Sequence, residues 1–433
     1  MAVPRPDRIP RHVRVLLAAN FVSSLGSGLT LPFLLIYLHE VRHISLGMAG
    51  LLIGAASVVA IPIGPASGAL VDRVGPRWVL AGASALEALG TILLVTVHSA
   101  ASALPVLVVF GAAGGAVWPT WSALFAVMVA DEGLRPRVFA RSFQLLNLGL
   151  GTGSVIAGFL VRVDRPGTFD RIYLVDGLTF LAITVVLALL PAEAFRRLPA
   201  TAEPQAGDPA QKGGYRQVLG DQRFIRYLVS TFALTFSGYA AVTAGLVGYA
   251  TVVVHAQPYV IAWAFAVNTA LIVAVQPLAL RLVDRMRRST ALSACAAIWA
   301  SSWLLLGAAG LFPASRLGDA LVVAMFGFFA CGEVLLSPVG GPIVSMMAPP
   351  ELQGRYMATS ATVFNLSTVF GPAMAGAMLG AGLANAYLGL LAGCGAASAV
   401  GFQWMRRVLS PEIDNARSVR QLEPEQDRCA EAA

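Results

Sequence analysis

Residues 68–77 read Gly68-Ala69-Leu70-Val71-Asp72-Arg73-Val74-Gly75-Pro76-Arg77. An apolar run, 47–71, precedes this stretch and another, 78–97, follows it. A helix crosses a bilayer with about 20 apolar residues at 1.5 Å rise each, and both runs meet that length. The stretch is therefore a charged turn between two membrane helices. It carries Asp72, Arg73 and Arg77 between the two runs.

Working outward, ten further apolar runs appear between turn or charge signals, giving twelve predicted spans. They cover 13–38, 47–71, 78–97, 104–130, 138–161 and 173–190, then 227–254, 259–280, 291–312, 320–347, 356–380 and 386–405. The first is too long for a signal peptide and is followed by eleven more, so it is expected to stay in the protein. Between the sixth and seventh lies a segment rich in Pro, Ala, Gly and charge that ends in a short amphipathic stretch near 215–224. The expected organisation is a six-helix bundle at 1–190, a linker at 191–226, a second bundle at 227–407 and a tail at 408–433.

With 57% hydrophobic and 12% charged residues, the chain lies far outside the soluble range, where about a quarter of residues are charged. Its net charge of +7 does not point to nucleic acid, because the basic residues sit in small groups between apolar runs. Assigning both termini and the linker to one side collects 25 of the 30 Lys and Arg there, leaving Arg42, Arg162, Arg165, Arg171 and Arg316 opposite. That asymmetry predicts both termini in the cytoplasm of a bacterial cell membrane. Four cysteines without paired spacing imply neither a disulfide framework nor a metal site, and no cofactor is expected.

The halves repeat. At an offset of 218, residues 137–158 align with 355–376 without a gap, and 8 of 22 positions are identical, among them Asn147/Asn365, Gly153/Gly371 and Gly158/Gly376. An offset of 212 pairs Val71-Asp72-Arg73 with Val283-Asp284-Arg285. Two homologous six-span units are the simplest reading.

The 68–77 turn also resembles, at nearly every position, the G-x-L-a-D-R-x-G-r-r signature of the major facilitator superfamily. Leu25-Gly26 with Pro32 in span one, and Gly371-Pro372 with Gly376 in span eleven, are similar to patterns of its twelve-span drug:proton antiporters. The resemblance covers the whole chain. It implies an all-α integral membrane fold of twelve helices in two pseudo-symmetric bundles. It also implies proton-coupled efflux of a drug-like or antibiotic small molecule by alternating access, carried out by a monomer whose partners are lipid, substrate and protons. Proton-coupled uptake or exchange of a small nutrient is the alternative. Two departures stand out. Span five has Gly153-Ser154 where the family's Gly-Pro is expected, and span four has Phe110 where an arginine is common. Within the signature, Gly68, Leu70, Asp72, Arg73, Gly75 and Arg77 are expected to form a cytoplasmic gate, with Asp72 and Arg73 as a charged clasp and the glycines admitting span eleven. The plainer alternative is that the arginines only anchor the loop.

Ionisable groups in mid-membrane are functional candidates by default. Two carboxyls qualify: Glu333 and, secondarily, Glu87. A carboxyl sealed from water keeps its proton and releases it when its cavity opens, as proton coupling or cation binding requires. The competing reading is a structural carboxyl hydrogen-bonded between helices. Asp176 is expected near the outer end of span six in a helix-start role. The cavity candidates are Asn20, Trp118, Trp121, Gln144, Asn147, Tyr239, Asn268 and Asn365, a sparse polar set among apolar walls that suits an amphipathic ligand. Each singly is also a plausible packing residue. Gly153, Gly158, Gly371, Pro372 and Gly376 are expected to serve helix packing.

One rival comes from another class. His39-Glu40-Val41-Arg42-His43 matches H-E-x-x-H, which on a helix presents two histidines to zinc with Glu40 as general base. A membrane zinc protease is accordingly the remote alternative, with His98 or His255 as a third ligand.

Overall fold

The computed structural model describes residues 9–129, 135–191, 215–283, 285–349 and 352–414. Among these, every long element is a helix. Eleven are long and apolar enough to cross a bilayer, and a bent pair, 222–241 with 244–252, supplies a twelfth crossing with a 54° bend. Only helices satisfy their backbone groups internally when no water is at hand, so the composition leaves little choice of element. Exposed Leu178 (60%), Leu304 (65%) and Val400 (69%) on the outer faces are what a bilayer covers.

Spans one to six run Arg11–Val41, Leu46–Val74, Pro76–Leu93, Ala100–Met128, Arg135–Leu160 and Gly167–Leu189. Span seven is the bent pair. Spans eight to twelve run Pro258–Val283, Arg288–Ala309, Arg316–Leu336, Gln353–Gly380 and Ala384–Met405. Two boundaries differ usefully from expectation. Span six starts at Gly167 rather than 173, because Pro166 precedes the helix and Asp170 suits its first turn. Span ten stops at Leu336, and after a turn a separate helix, Gly340–Met347, takes over, since the Pro338-Val339-Gly340-Gly341 stretch does not sustain one straight helix. The amphipathic stretch is a short helix, Tyr215–Gly220. It stops because Asp221 caps the next helix, accepting from the Arg223 and Phe224 amides.

In the first bundle spans one, five and six pack together, as do two, three and four. Spans seven, eleven and twelve, and eight, nine and ten, repeat the arrangement. Across the midline span two meets span eleven and span five meets span eight. The seam closes at the ends of these helices away from the chain termini. There a Cβ on Gly376 would stand 2.8 Å from Gly50 Cα, and one on Gly158 would collide with the Ala262 methyl. Lipid gives helices no hydrophobic reason to associate, so backbone approach through small residues supplies the contact. Toward the termini the halves part. An added Cβ at Gly68 or Gly75 meets nothing within 4 Å.

Span seven breaks beside Gly238, which lies against the Trp299 ring. The carbonyl of Ser237 at the break accepts from the Trp303 indole at 2.6 Å, so the interruption leaves no orphan there. On the termini face, Arg77 donates to the carbonyls of Leu187 (2.8 Å) and Ala188 (3.0 Å) at the end of span six. The second bundle uses a different device at the same place. Asp414, buried in the tail helix Pro411–Asp414, accepts from the Ser289 amide and hydroxyl, both at 2.8 Å, and Arg288 donates to the Ile413 carbonyl. Asp414→Ala strips two donors at the start of span nine and is expected to cost about 1–3 kcal/mol. It should register as a lower Tm in thermal unfolding of the purified protein.

Candidate functional site

The polar candidates separate into two clusters, one in each bundle. In the first, a cavity of about 380 Å³ is lined by Asn20, Glu87 and Trp121 together with Phe125, Phe139 and Ser142. Span three presents Glu87 to it, 6% exposed, and its Oε2 is buried with no hydrogen-bond partner among the described residues. Span one contributes Asn20, whose amide donates to the Ser142 carbonyl (3.2 Å) and hydroxyl (3.1 Å) and so ties spans one and five. Trp121 stacks on Phe125 at 5.4 Å between centroids, giving the cavity an aromatic wall.

Asp176 sits behind this cavity. It is 1% exposed and accepts from the Thr30 hydroxyl at 2.7 Å. Its expected place at a helix start is corrected, since the helix begins nine residues earlier and carries Asp176 well into the span. The missed signal was the Pro166-Gly167 start. Once that is read, the depth of Asp176 follows from 1.5 Å per residue.

In the second bundle Asn268 donates to Glu333 Oε2 at 3.5 Å and to the Phe326 carbonyl at 3.3 Å, and Tyr239 lies beside Glu333. Tyr239 packs edge-on against Trp299 at 5.2 Å, which in turn stacks on Phe329 at 4.5 Å. No ion pair to Glu333 or Glu87 occurs among the described residues. Tyr239 also lines a midline cavity of about 250 Å³ bounded by Leu31, Gly111, Thr368 and Pro372, so the Glu333 cluster borders the seam between halves.

Other candidates stand apart. Asn147 donates to the Phe143 carbonyl of its own helix at 2.9 Å, and Gln144 and Asn365 are exposed. The side chains of Trp118 and Asp72 lie outside the described residues, so the clasp has no geometry on its acidic side. Leu70 and Arg73 are exposed at the end of span two, and the close approach expected at Gly68 and Gly75 occurs instead at the far end of the same helices. Of the packing glycines, Gly153 faces the Leu25 carbonyl, Gly371 faces Ala240 and Gly376 faces Gly50, while buried Pro372 turns its carbonyl toward Gly50. Where span five lacks the expected proline, Ser154 donates to the Gly28 carbonyl of span one at 3.2 Å.

The H-E-x-x-H match does not form a zinc face. Residues 37–41 wind as a π-helix, and His43 lies beyond its end in a left-handed conformation, so the two imidazoles are not successive turns of one helix. His39 Nδ1 is engaged with the Ile44 carbonyl at 3.0 Å. Arg42 between them has a structural task. It pairs with Asp170 at 3.2 Å and donates to the Tyr37 hydroxyl at 2.9 Å, joining spans one and six at the face away from the termini.

Comparisons with known proteins agree with this architecture. The chain is 24% identical over 378 residues to the uncharacterized MFS-type transporter YttB of Bacillus subtilis, covering 86% of this chain and 89% of the relative. It is 26% identical over 372 residues to the multidrug resistance protein MdtH of Cronobacter sakazakii, covering 83% of each. Among solved structures, a peptide transporter POT superposes with a TM-score of 0.75 at 15% identity over 95% of this chain and 97% of that one. A D-xylose-proton symporter gives 0.70 at 14% identity over 90% and 96%. YttB is named as a transporter, and with the H-E-x-x-H match failing to form a zinc face the protease alternative falls. With the Major Facilitator Superfamily family model matching residues 16–257 and 241–426, the two repeated bundles and the midline seam belong to a transporter of the major facilitator superfamily.

Proposed function

We propose that this protein is a proton-coupled exporter of drug-like or antibiotic small molecules. In this reading it works by alternating access as a monomer in the bacterial cell membrane, with both termini cytoplasmic. The carrying observation is Glu333, a carboxylate inside the membrane whose hydrogen-bond partner Asn268 and neighbour Tyr239 are both neutral. A carboxylate paired to arginine stays ionised. One held by neutral donors can exchange its proton when water reaches it. Glu87, lining an aromatic-walled cavity in the other bundle, is the second candidate for coupling or for a cationic substrate group. Seam closure away from the termini corresponds to the inward-facing state, and the gate expected at residues 68–77 would act in the outward-facing one.

A proton entering down a potential of 100 mV releases about 2.3 kcal/mol, enough for roughly a fiftyfold substrate gradient. Export is favoured over nutrient uptake by the multidrug resistance relatives and by an apolar, aromatic cavity rather than one dense in polar groups. The test is accumulation of cationic and neutral dyes in cells expressing the protein, with and without a protonophore. Expression is expected to lower accumulation, and protonophore or Glu333→Gln to restore it fully. Dye levels that Glu333→Gln leaves low would remove Glu333 from coupling.

A further inference from the structure

On the termini face, away from both carboxylate clusters, the ends of spans nine and twelve enclose a groove of about 540 Å³. Its lining consists of Arg287, Val400, Gln403, Trp404, Arg406 and Arg407. Three of these six side chains are guanidinium groups, none is a carboxylate, and among the described residues none of the three enters an ion pair. A fourth arginine, Arg226 of span seven, lies over the Trp404 ring at 4.3 Å from its centroid, which holds that ring against the groove mouth. Arg287 immediately precedes span nine, and Arg406 follows the last residue of span twelve, so the charges stand where the spans leave the hydrocarbon.

The wall below the charges is apolar. Val400 (69% exposed) and Trp404 (39%) are one turn apart on span twelve and line the groove together. A cluster of arginines over an outward-facing apolar strip fits a molecule with an anionic head and hydrocarbon tails. A free phosphate would use the arginines and leave the strip idle. Planar guanidinium groups bind phosphate oxygens in pairs, and basic pockets at helix ends on one membrane face take lipid headgroups in this way.

We propose that this groove binds the phosphate of an anionic phospholipid, whose acyl chains run along Val400 and Trp404 and whose head bridges spans nine and twelve. The proposal is independent of what the protein transports.

The experiment uses the full-length protein purified in a neutral detergent and titrated with dioleoylphosphatidylglycerol, dioleoylphosphatidylcholine or inorganic phosphate. Bound lipid is read by native mass spectrometry and stability by thermal unfolding. Phosphatidylglycerol is expected to bind and raise Tm, with phosphatidylcholine and inorganic phosphate doing neither at the same concentration. Each arginine removed should weaken phosphatidylglycerol binding about fivefold, so Arg406→Gln with Arg407→Gln should lose about twenty-fivefold, and the paired lysine replacements should keep most of the binding. Equal binding of the two lipids, or an unchanged affinity in the double glutamine variant, overturns the proposal. Displacement of the lipid by equimolar inorganic phosphate would make this an anion site and not a lipid site. Should the double variant fail to fold, Arg287→Gln carries the same comparison.

Discussion

Cysteines replacing Gly47 and Gly380, in a chain freed of its four native cysteines, are expected to cross-link under mild oxidation and to bring transport to zero. Full activity should return with reductant. A Cβ built at position 380 stands 3.2 Å from the Gly47 amide nitrogen and 3.7 Å from its Cα, within the span a disulfide bridges. The pair sits at the closed end of the seam between spans two and eleven, where Gly50 and Gly376 also touch. Alternating access needs that end to part, and a covalent bond across it holds the chain in the conformation seen. The single variants, Gly47→Cys and Gly380→Cys, should transport normally, and a gel shift with a thiol reagent follows the cross-link. A cross-linked protein that still lowers dye accumulation would mean that the two halves need not separate there.

The second large effect concerns Gly153. Its position faces the Leu25 carbonyl of span one, with Leu29 N 2.9 Å from where a Cβ would lie. Backbone cannot yield as the tip of a flexible side chain can, so Gly153→Val forces spans one and five apart. It also pulls Ser154 from the Gly28 carbonyl and Asn20 from Ser142. Overpacking of this kind costs about 1–3 kcal/mol where side chains can give, and more where they cannot. The expectation is little or no monodisperse protein by size-exclusion chromatography. Gly393, inside span twelve with nothing within 4 Å of an added Cβ, is the contrasting case. Gly393→Ala should raise Tm slightly, in keeping with the roughly 0.5–1 kcal/mol that separates alanine from glycine in a helix. Equal behaviour of the two variants would show that close packing at Gly153 does not support the fold.

Local chemistry made much of this readable in the chain. Residues 68–77 announced two membrane helices because hydropathy and turn formation are properties of short windows, and the 137–158 and 355–376 alignment announced two bundles because duplication leaves its register in the sequence. Glu87 and Glu333 stood out because a carboxyl in an apolar run is costly wherever the helices lie. Errors fell where a window is not enough. The depth of Asp176 depended on where span six begins, and the H-E-x-x-H spacing assumed an α-helix where residues 37–41 wind as a π-helix.

Which polar residues share a cavity was decided by tertiary structure alone. Asn20 meets Ser142 across 122 positions, and Asn268 reaches Glu333 across 65, while Asn147, equally polar and equally central in its run, bonds its own helix. Each outcome depends on how far a helix is rotated about its axis, and in a bilayer that rotation follows from the close contacts of small residues such as Gly50 with Gly376 and Gly153 with Leu25. The sequence by itself determined the number of spans, their duplication and the two buried carboxyls, since burial in lipid is a property each segment carries alone. The grouping of polar side chains and the closed side of the seam arise only when twelve helices pack, because they are set by contacts between segments far apart in the chain.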